Sequence, residues 1–346
     1  ADDIRAELPE VDGIMGTGSY SEVVSVVEAV LAGDKPTRRG AISAPLYDTP
    51  RAVSTGPNWA YLRIAEGCDN RCAYCVIPSL RGRFRSRTKE SVLEEARLLA
   101  ASGVKELIIV AQDITRYGID LYGKVCLTEL LKELCKLDFR WVRLHYLYPE
   151  LIDDELIDEI ASEDKIVKYL DIPIQHINDT ILRRMNRRGT GEEIRALFKK
   201  LRERIPGLVL RTSLITGLPG EGEAEFEELC DFLREAKIER AGVFPYSPEE
   251  GTPAALMPDR CSTEEAQRRG WSGTLLALFD QMKKERYMFT EPVDGHWNGH
   301  ITRDSVDSFK HPIRVESGSR IEHLLGGPEI LGASMHNYRI THPAAA

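Results

Sequence analysis

The sequence is poor in cysteine and contains no long apolar run. Seven of its 346 residues are cysteines, an odd and sparse set that does not suit the disulfide framework of a small secreted protein. No apolar stretch approaches the roughly 20 residues that are needed to cross a bilayer. The first residues, Ala1-Asp2-Asp3, are charged and lack the apolar region of a signal peptide. These absences predict a cytoplasmic protein without a membrane partner.

A surplus of basic residues is missing as well. Asp and Glu together number 55 against 46 Lys and Arg, which gives a formal net charge of −9. This balance excludes a uniformly basic protein of the kind that coats nucleic acids. The apolar fraction of 42% is ordinary for a globular protein and excludes a disordered or collagen-like chain.

The pattern along the chain divides it into four segments. Residues 1–35 contain a short apolar run and a helical pattern, and residues 36–58 carry four prolines without any period, which predicts a linker. From 59 to 290, short apolar runs alternate with amphipathic segments, and from 291 to 346 this alternation ends. The total length is compatible with one large barrel flanked by smaller pieces.

Six strand–helix units in series predict an α/β fold with a parallel sheet. The strands are predicted at 61–65, 106–110, 141–146, 169–174, 208–215 and 241–245. The helices are predicted at 90–101, 127–135, 153–161, 178–185 with 192–204, 223–235 and 263–288. Because eight units close a full barrel, we expect an open, partial TIM-like barrel, with a flat doubly wound sheet as the alternative. In both architectures, functional residues lie at the carboxyl ends of the strands.

A loop with three cysteines follows the first predicted strand. Cys68, Cys72 and Cys75 have the spacing C-x3-C-x2-C. Three thiolates can bind three irons of a 4Fe-4S cube and leave the fourth iron open, whereas electron-transfer clusters use four cysteines. The open iron can bind the amino and carboxylate groups of S-adenosylmethionine, whose reductive cleavage starts radical chemistry. A zinc site is the alternative, but it would require a fourth Cys or His nearby.

With an aromatic residue, Tyr74, directly before the last cysteine, this loop resembles that of the radical SAM superfamily. Within it, the chain resembles the methylthiotransferase family, because Pro78 and the Arg81-Gly82 pair follow the loop. Further segments resemble the same family: AQDITRYG (111–118), HYLYP (145–149), DIPIQH (171–176), RTSLITGLPGE (211–221) and FPYSPEEGT (244–252). The resemblance covers about residues 1–290.

The resemblance implies a reaction and two candidate substrates. It implies transfer of a methylthio group, with one S-adenosylmethionine as the radical source and a second as the methyl donor. One branch of the family modifies an aspartate of the small-subunit ribosomal protein uS12 at its β-carbon, and another modifies an adenosine of tRNA. Residues 69–71 and the Arg85-Ser86-Arg87 run resemble the first branch more closely. The acidic net charge also suits a basic ribosomal protein better than a polyanionic tRNA. The expected partners are uS12 or the small ribosomal subunit, and a low-potential electron donor such as flavodoxin or ferredoxin.

Polar residues at two predicted strand ends are candidates for cofactor binding. Gln112 and Asp113 follow the second strand, and Gln175 and His176 follow the fourth. We expect them to contact S-adenosylmethionine. A turn or helix cap is the alternative for the first pair, and a structural role is the alternative for His176.

Other candidates lie within the strands or within the loop itself. Arg143 and Arg211 interrupt apolar strands, where an unpaired charge would be costly, so we expect them to face a polar lumen and to pair with a carboxylate of the cofactor or the protein. Tyr74, Ser213 and Ile215 complete the predicted cofactor-binding set, and the resemblance implies adenine or ribose packing around Ile215.

Two arginine runs are the strongest concentrations of positive charge. Arg81, Arg83 and Arg85 flank the three-cysteine loop and are candidates for holding an anionic substrate group, with a solvated face as the alternative. A second run spans 183–188. Phe84 is the one aromatic residue within these runs, and this scarcity of residues for base stacking disfavours nucleic-acid binding.

The chain departs from the family pattern at both ends. Relatives carry an N-terminal domain with three further cysteines that hold a second 4Fe-4S cluster, whereas no cysteine precedes Cys68 here. Residues 1–35 resemble only the tail of that domain, so we expect one cluster and cleavage of S-adenosylmethionine without complete methylthiolation. Residues 291–346 resemble an incomplete, β-rich remnant of the TRAM domain, following a radical SAM core at 59–290. A protein-directed methylthiotransferase, a tRNA-directed one and a cluster-binding protein without the full activity all stay open.

Overall fold

The structure is a computed structural model that describes residues 2–43 and 52–270, and the backbone of four short strands beyond them (290–292, 311–314, 329–332 and 338–340). Over these ranges, no helix is long and apolar enough to span a membrane.

A six-stranded parallel sheet forms the centre of the fold. Its strands are β1 (Trp59–Arg63), β2 (Glu106–Val110), β3 (Trp141–Leu144), β4 (Ile166–Asp171), β5 (Val209–Thr216) and β6 (Arg240–Pro245). The spatial order of the strands is the same as their order along the chain, and β1 and β6 are the two edges. The sheet is therefore open, and the expectation of a partial rather than a closed barrel is confirmed.

The strands form where the chain carries runs of apolar and β-branched residues. In β5, buried and half-buried residues alternate strictly, as they must when successive side chains point to opposite faces. Leu210 and Leu214 are fully buried and belong to the main core. Arg211, Ser213 and Ile215 lie on the opposite face and are only half-buried. This second face is the one that a cofactor or substrate can reach.

Helices follow each strand and cover the apolar face of the sheet. They are α1 (Lys89–Ala101), α2 (Leu127–Leu134), α3 (Asp154–Ser162), α4 (Asp179–Arg184), α5 (Gly191–Arg204) and α6 (Glu223–Ala236). The start of α5 is a capping box, in which Thr190 and Glu193 satisfy each other's backbone N–H groups. Residues 263–270 are helical as predicted, and the rest of that predicted helix lies outside the described residues.

A small N-terminal unit precedes the sheet in the chain. Strand Ile14–Met15 pairs in parallel with Thr37–Arg38, and helix Val23–Leu31 connects them. The second of these strands lies within the stretch that was predicted as a linker. The unit contacts the three-cysteine region through the Thr17 hydroxyl, which donates to the Leu80 carbonyl oxygen at 2.7 Å.

The C-terminal segment contributes four described strands. Thr290–Pro292 pairs with Tyr338–Ile340, and His311–Arg314 pairs with Glu329–Gly332, both in antiparallel fashion. The remainder of the predicted TRAM-like region lies outside the described residues.

Candidate functional site

The three cysteines lie on a loop that closes at its base. After β1, the strand Ala65–Glu66 pairs in antiparallel fashion with Arg85–Ser86, so that residues 67–84 form a loop that we call the cluster loop. The loop starts at the carboxyl edge of the sheet, as the sequence predicted, because the Ile64 N–H donates to the carbonyl oxygen of Val110, the last residue of β2, at 3.1 Å. The three thiols are free, and this edge is where parallel α/β folds carry their active sites.

Glycine is required at the start of the cluster loop. Gly67 has a φ of +84°, and a Cβ atom there would lie 2.2 Å from the carbonyl oxygen of Arg83. The absence of a side chain lets the two ends of the loop meet, and the Cys68 N–H donates to the Gly82 carbonyl oxygen at 3.1 Å. Gln112, at the end of β2, accepts a hydrogen bond from the Gly67 N–H at 2.7 Å.

Other elements hold the middle of the cluster loop. The Ala73 N–H donates to the Met185 carbonyl oxygen at 2.8 Å, and the Ala73 carbonyl oxygen accepts from the Ala254 N–H at 2.9 Å. The Asn186 side chain donates to the Arg71 carbonyl oxygen at 2.8 Å. The loop conformation is therefore fixed by the protein through backbone hydrogen bonds to distant segments.

The thiols lie in a poorly solvated environment. Burial raises the pKa of Cys68 to about 11 and also raises that of Cys75. A free thiol with a raised pKa is a poor nucleophile at neutral pH. The Cys72 sulfur lies 3.8 Å from the Tyr148 hydroxyl, and the Arg187 guanidinium donates to it from 3.8 Å. The guanidinium beside Cys72 suits a thiolate at that position.

The donor set fits a cluster better than a single ion. Among the described residues, no three His, Cys, Asp or Glu side chains converge closely enough to hold one metal ion, and the cluster loop offers three cysteines without the fourth ligand that a structural zinc site uses. In a 4Fe-4S cube with three cysteine ligands, each thiolate binds a different iron, so the thiolates need not converge on one point. The buried Arg187 Nε also has no hydrogen-bond partner in the described part of the chain, as expected beside a site for an anionic group.

Gln112 and Asp113 both brace the cluster loop. Asp113 is 1% exposed; its carboxylate accepts from the Asn70 side chain at 3.0 Å and from the N–H of Thr115 at 3.1 Å. It also accepts from the Thr115 hydroxyl and so caps a short 3₁₀ helix. Burial raises the pKa of Asp113. A contact from either residue to a cofactor stays a prediction.

Gln175 and His176 lie in different surroundings. Gln175 has a φ of +71°. Its N–H donates to the Ser213 carbonyl oxygen at 2.9 Å, and its carbonyl oxygen accepts from the Ile215 N–H at 2.8 Å, so its backbone pairs with β5. His176 is 1% exposed; its Nδ1 accepts from the Asn178 N–H at 3.0 Å, and its Nε2 lies 3.4 Å from a buried Glu221 oxygen. His176 thus belongs to a buried polar group, and cofactor contact by it stays a prediction.

Both strand arginines pair with protein carboxylates on the half-buried face of the sheet. Arg143 Nε lies 2.5 Å from Glu106, with its guanidinium carbon 5.0 Å from the centre of the Tyr169 ring. Arg211 lies 2.6 Å from Asp171, which is 1% exposed. The expectation that each arginine pairs with a carboxylate is confirmed, with a protein carboxylate in both cases, and contact of either arginine with the cofactor stays a prediction.

His145, which was not among the predicted site residues, belongs to this polar group. Its Nδ1 lies 3.8 Å from the Asp171 carboxylate. Burial lowers the pKa of His145, which favours the neutral ring. The signal was its place directly after β3, the same strand-end rule that singled out Gln112.

Tyr74 and Ile215, two predicted cofactor residues, lie at the edge of one apolar cluster. Its buried members are Ala73, Ile181, Met185, Leu218 and Ala254, and the partly buried side chains around them are Tyr74, Ile215, Tyr246 and Met257. This apolar group of side chains joins the cluster loop to the end of β5. An apolar, partly aromatic surface of this kind suits a purine ring. Ser213 is half-buried on the same face of β5 as Ile215.

The side chains of Arg81, Arg83 and Arg85 differ in how many hydrogen bonds hold them and in how exposed they are. Arg81 donates to the Tyr20 hydroxyl at 2.8 Å, and Arg85 donates to the carbonyl oxygens of Arg81 at 3.2 Å and Arg83 at 3.0 Å. The Arg83 side chain is 88% exposed and lies 3.5 Å from Asp69. Of the three, Arg83 has the side chain most accessible to a substrate.

Comparison with known proteins agrees with this architecture. The Radical SAM superfamily profile matches residues 62–233. The protein named ribosomal protein uS12 methylthiotransferase RimO from Pelotomaculum thermopropionicum is 54% identical over 265 residues, which cover 76% of this chain and 60% of that protein. The protein of the same name from Anaeromyxobacter sp. is 44% identical over 355 residues, which cover 99% of this chain and 71% of that protein.

A solved structure shows the same fold at low identity. The radical S-adenosylmethionine methyltransferase TsrM from Kitasatospora setae superimposes with a TM-score of 0.52 at 18% identity, over 70% of this chain and 53% of that one. The chain spans only 58 to 60% of the length of the RimO proteins from Pelotomaculum thermopropionicum, Lachnoclostridium phytofermentans and Caldanaerobacter subterraneus. The cluster loop, the open parallel sheet and the identity to these relatives lead to one conclusion: the chain belongs to the radical SAM superfamily and, within it, to the RimO family of methylthiotransferases.

Proposed function

We propose that this chain carries the radical-generating core of a methylthiotransferase that modifies an aspartate β-carbon of ribosomal protein uS12. The observation that carries the proposal is the cluster loop, which places three free cysteines at the carboxyl edge of an open parallel sheet. The substrate follows from the names of relatives up to 54% identical.

Cys68, Cys72 and Cys75 would hold the cluster, and the backbone braces described above fix the loop in place. A 4Fe-4S cluster with one open iron supplies the electron that cleaves S-adenosylmethionine, which provides the radical that removes a hydrogen atom from the substrate. Tyr74 and Ile215 border the apolar surface for the adenine. Ser213, on the same face as Ile215, would contact polar groups of the cofactor.

Arg143 and Arg211 shape the polar part of the same face. Because each is already paired with a protein carboxylate, neither brings a free charge to the site, and both would orient neighbouring groups rather than neutralise the cofactor. His145, kept neutral by burial, can accept or donate a hydrogen bond there without adding charge.

The acidic chain, with a net charge of −9, supports a basic protein substrate over tRNA, because like charges repel a polyanion. The exposed Arg83 is suited to an aspartate carboxylate of that substrate. A cytoplasmic location and a low-potential donor such as flavodoxin or ferredoxin are part of the proposal, since uS12 is a ribosomal protein and cluster reduction needs an external electron.

The first experiment tests the cluster and the cleavage reaction. We expect anaerobic reconstitution to load about four irons per chain, and dithionite with S-adenosylmethionine to yield 5′-deoxyadenosine. Cys72→Ala should lose most of the iron and the product, whereas Cys261→Ala, outside the cluster loop, should keep both. Full iron without 5′-deoxyadenosine would refute the enzymatic part of the proposal.

The second experiment tests the substrate without requiring sulfur transfer. The reconstituted chain is given uS12 deuterated at its aspartate β-carbons or, in parallel, tRNA deuterated on its adenines. Transfer of deuterium into 5′-deoxyadenosine from uS12 alone supports the proposal. Transfer from tRNA alone would assign the chain to the other branch of the family.

A further inference from the structure

Arg187 lies directly against one of the three cluster-loop cysteines. It follows α4 in the chain and is 8% exposed, although its neighbour Arg188 is exposed. Its guanidinium carbon lies 4.3 Å from the centre of the Tyr148 ring. One terminal nitrogen donates to the Pro173 carbonyl oxygen at 2.8 Å, and the other donates to the Cys72 sulfur at 3.8 Å.

The Glu150 carboxylate interacts electrostatically with this buried charge, but from beyond ion-pair distance. In the part of the chain that the structure describes, Arg187 forms no ion pair with a carboxylate, whereas Arg143, Arg211 and Arg269 each form at least one. Its Nε is buried and has no hydrogen-bond acceptor among the described residues. A buried cation is costly unless a negative charge lies nearby. Cys72 supplies a negative charge in direct contact with the guanidinium, because a metal-bound cysteine is a thiolate.

A cation at this position favours one redox state of the cluster over the other. A cluster with three thiolate ligands is anionic, and each added electron makes it more negative. A positive charge held close to it in a poorly solvated region is screened weakly, so its attraction for the reduced form is strong. Hydrogen bonds to the ligating sulfurs and burial are the levers by which proteins tune such clusters.

We propose that Arg187 raises the reduction potential of the cluster through Cys72, and so makes the electron transfer that starts the reaction easier. Tyr148 assists by covering the guanidinium and keeping water from it, with its own hydroxyl 3.8 Å from the Cys72 sulfur. Arg187 is thus a positioning residue that acts through a cluster ligand and need not touch the substrate. The inference rests on the cluster of the proposed function and is independent of the substrate.

The test compares Arg187→Gln and Arg187→Lys with Arg188→Gln, which removes the same charge from the adjacent, exposed position. Each variant is reconstituted anaerobically, its iron is counted, and the reduced fraction is followed by electron paramagnetic resonance at fixed solution potentials. At the potential that half-reduces the parent, we expect Arg187→Gln to show a reduced-to-oxidised ratio about tenfold lower, which corresponds to about 59 mV for a one-electron couple. Arg187→Lys should show a smaller change, and Arg188→Gln should match the parent.

Four other results would overturn the inference. An unchanged ratio in Arg187→Gln with full iron would show that the charge does not tune the cluster, while leaving the proposed function intact. An equal drop in Arg188→Gln would show a general charge effect. Loss of iron from Arg187→Gln, with or without loss from Arg187→Lys, would show that Arg187 holds the cluster loop in place and does not tune the reduction potential of the cluster. A parent that binds no cluster would refute the proposed function as well.

Discussion

Replacing Gly67 with alanine tests whether the entrance of the cluster loop is as tight as the structure indicates. Gly67 has a φ of +84°, and a Cβ atom would lie 2.2 Å from the Arg83 carbonyl oxygen and 2.7 Å from that of Gly82. Ordinary contacts of a Cβ atom begin near 3.4 Å. The facing backbone would therefore have to retreat, which would pull apart the two ends of the loop.

The cost has two parts that a control variant separates. A left-handed conformation costs an alanine about 1–2 kcal/mol, and forced displacement in a packed region adds about 1–3 kcal/mol. Gly103 has a φ of +97° with nothing within 4 Å of its missing Cβ. Gly103→Ala should therefore lose only the first part of the unfolding free energy, and Gly67→Ala should lose both.

Urea unfolding followed by circular dichroism gives the two free energies, and iron per chain after reconstitution reports the loop itself. We expect Gly67→Ala to be less stable than Gly103→Ala by about 1–3 kcal/mol and to bind less iron, while Gly103→Ala keeps a full complement. Equal stability and equal iron in the two variants would refute the reasoning.

Three further predictions concern stability. Thr190→Ala should lower the unfolding free energy by about 1 kcal/mol, because it removes the capping box with Glu193; an unchanged urea midpoint would contradict this role. Arg269→Met should cost about 3–5 kcal/mol, because it leaves the Glu221 carboxylate, 3.1 Å away and fully buried, without its cation; adding Glu221→Gln should recover part of the loss, and strictly additive costs would disprove the pair. Burial lowers the pKa of His145, so below the unfolded value of about 6.5 the unfolded chain takes up the proton more readily and stability falls as pH drops. His145→Gln should therefore lose less unfolding free energy than the parent between about pH 7 and 5. If urea unfolding at a series of pH values shows the same loss in both proteins, His145 is not its source.

The strands could be predicted from the sequence because buried parallel strands are runs of apolar residues. The run at 106–110 became β2 with the same bounds. The third strand ends at Leu144 rather than at 146, since Tyr146 takes a φ of +63° that an extended strand does not allow. Apolarity indicates that a strand exists, but the backbone conformation at its end decides where it stops.

The site could be predicted where its residues are close together in the sequence, but not where tertiary packing brings distant residues together. The three cysteines lie within eight residues of one another, so the sequence alone brings them together. Arg187 and Arg188 look alike in the sequence, yet one is buried against Cys72 and the other is exposed. Likewise, the pairing of Arg143 with Glu106 joins two strands, and no local pattern specifies it.

The order of the strands bears on how the protein assembles during synthesis. Because each strand pairs with the one made just before it, the sheet can grow in step with the emerging chain, without waiting for a later segment. The cluster loop is different: it is synthesised early, yet its hydrogen bonds to Met185 and Ala254 cannot form until the later units have left the ribosome. Iron is therefore expected to enter only after the strand–helix units as far as Ala254 have been synthesised.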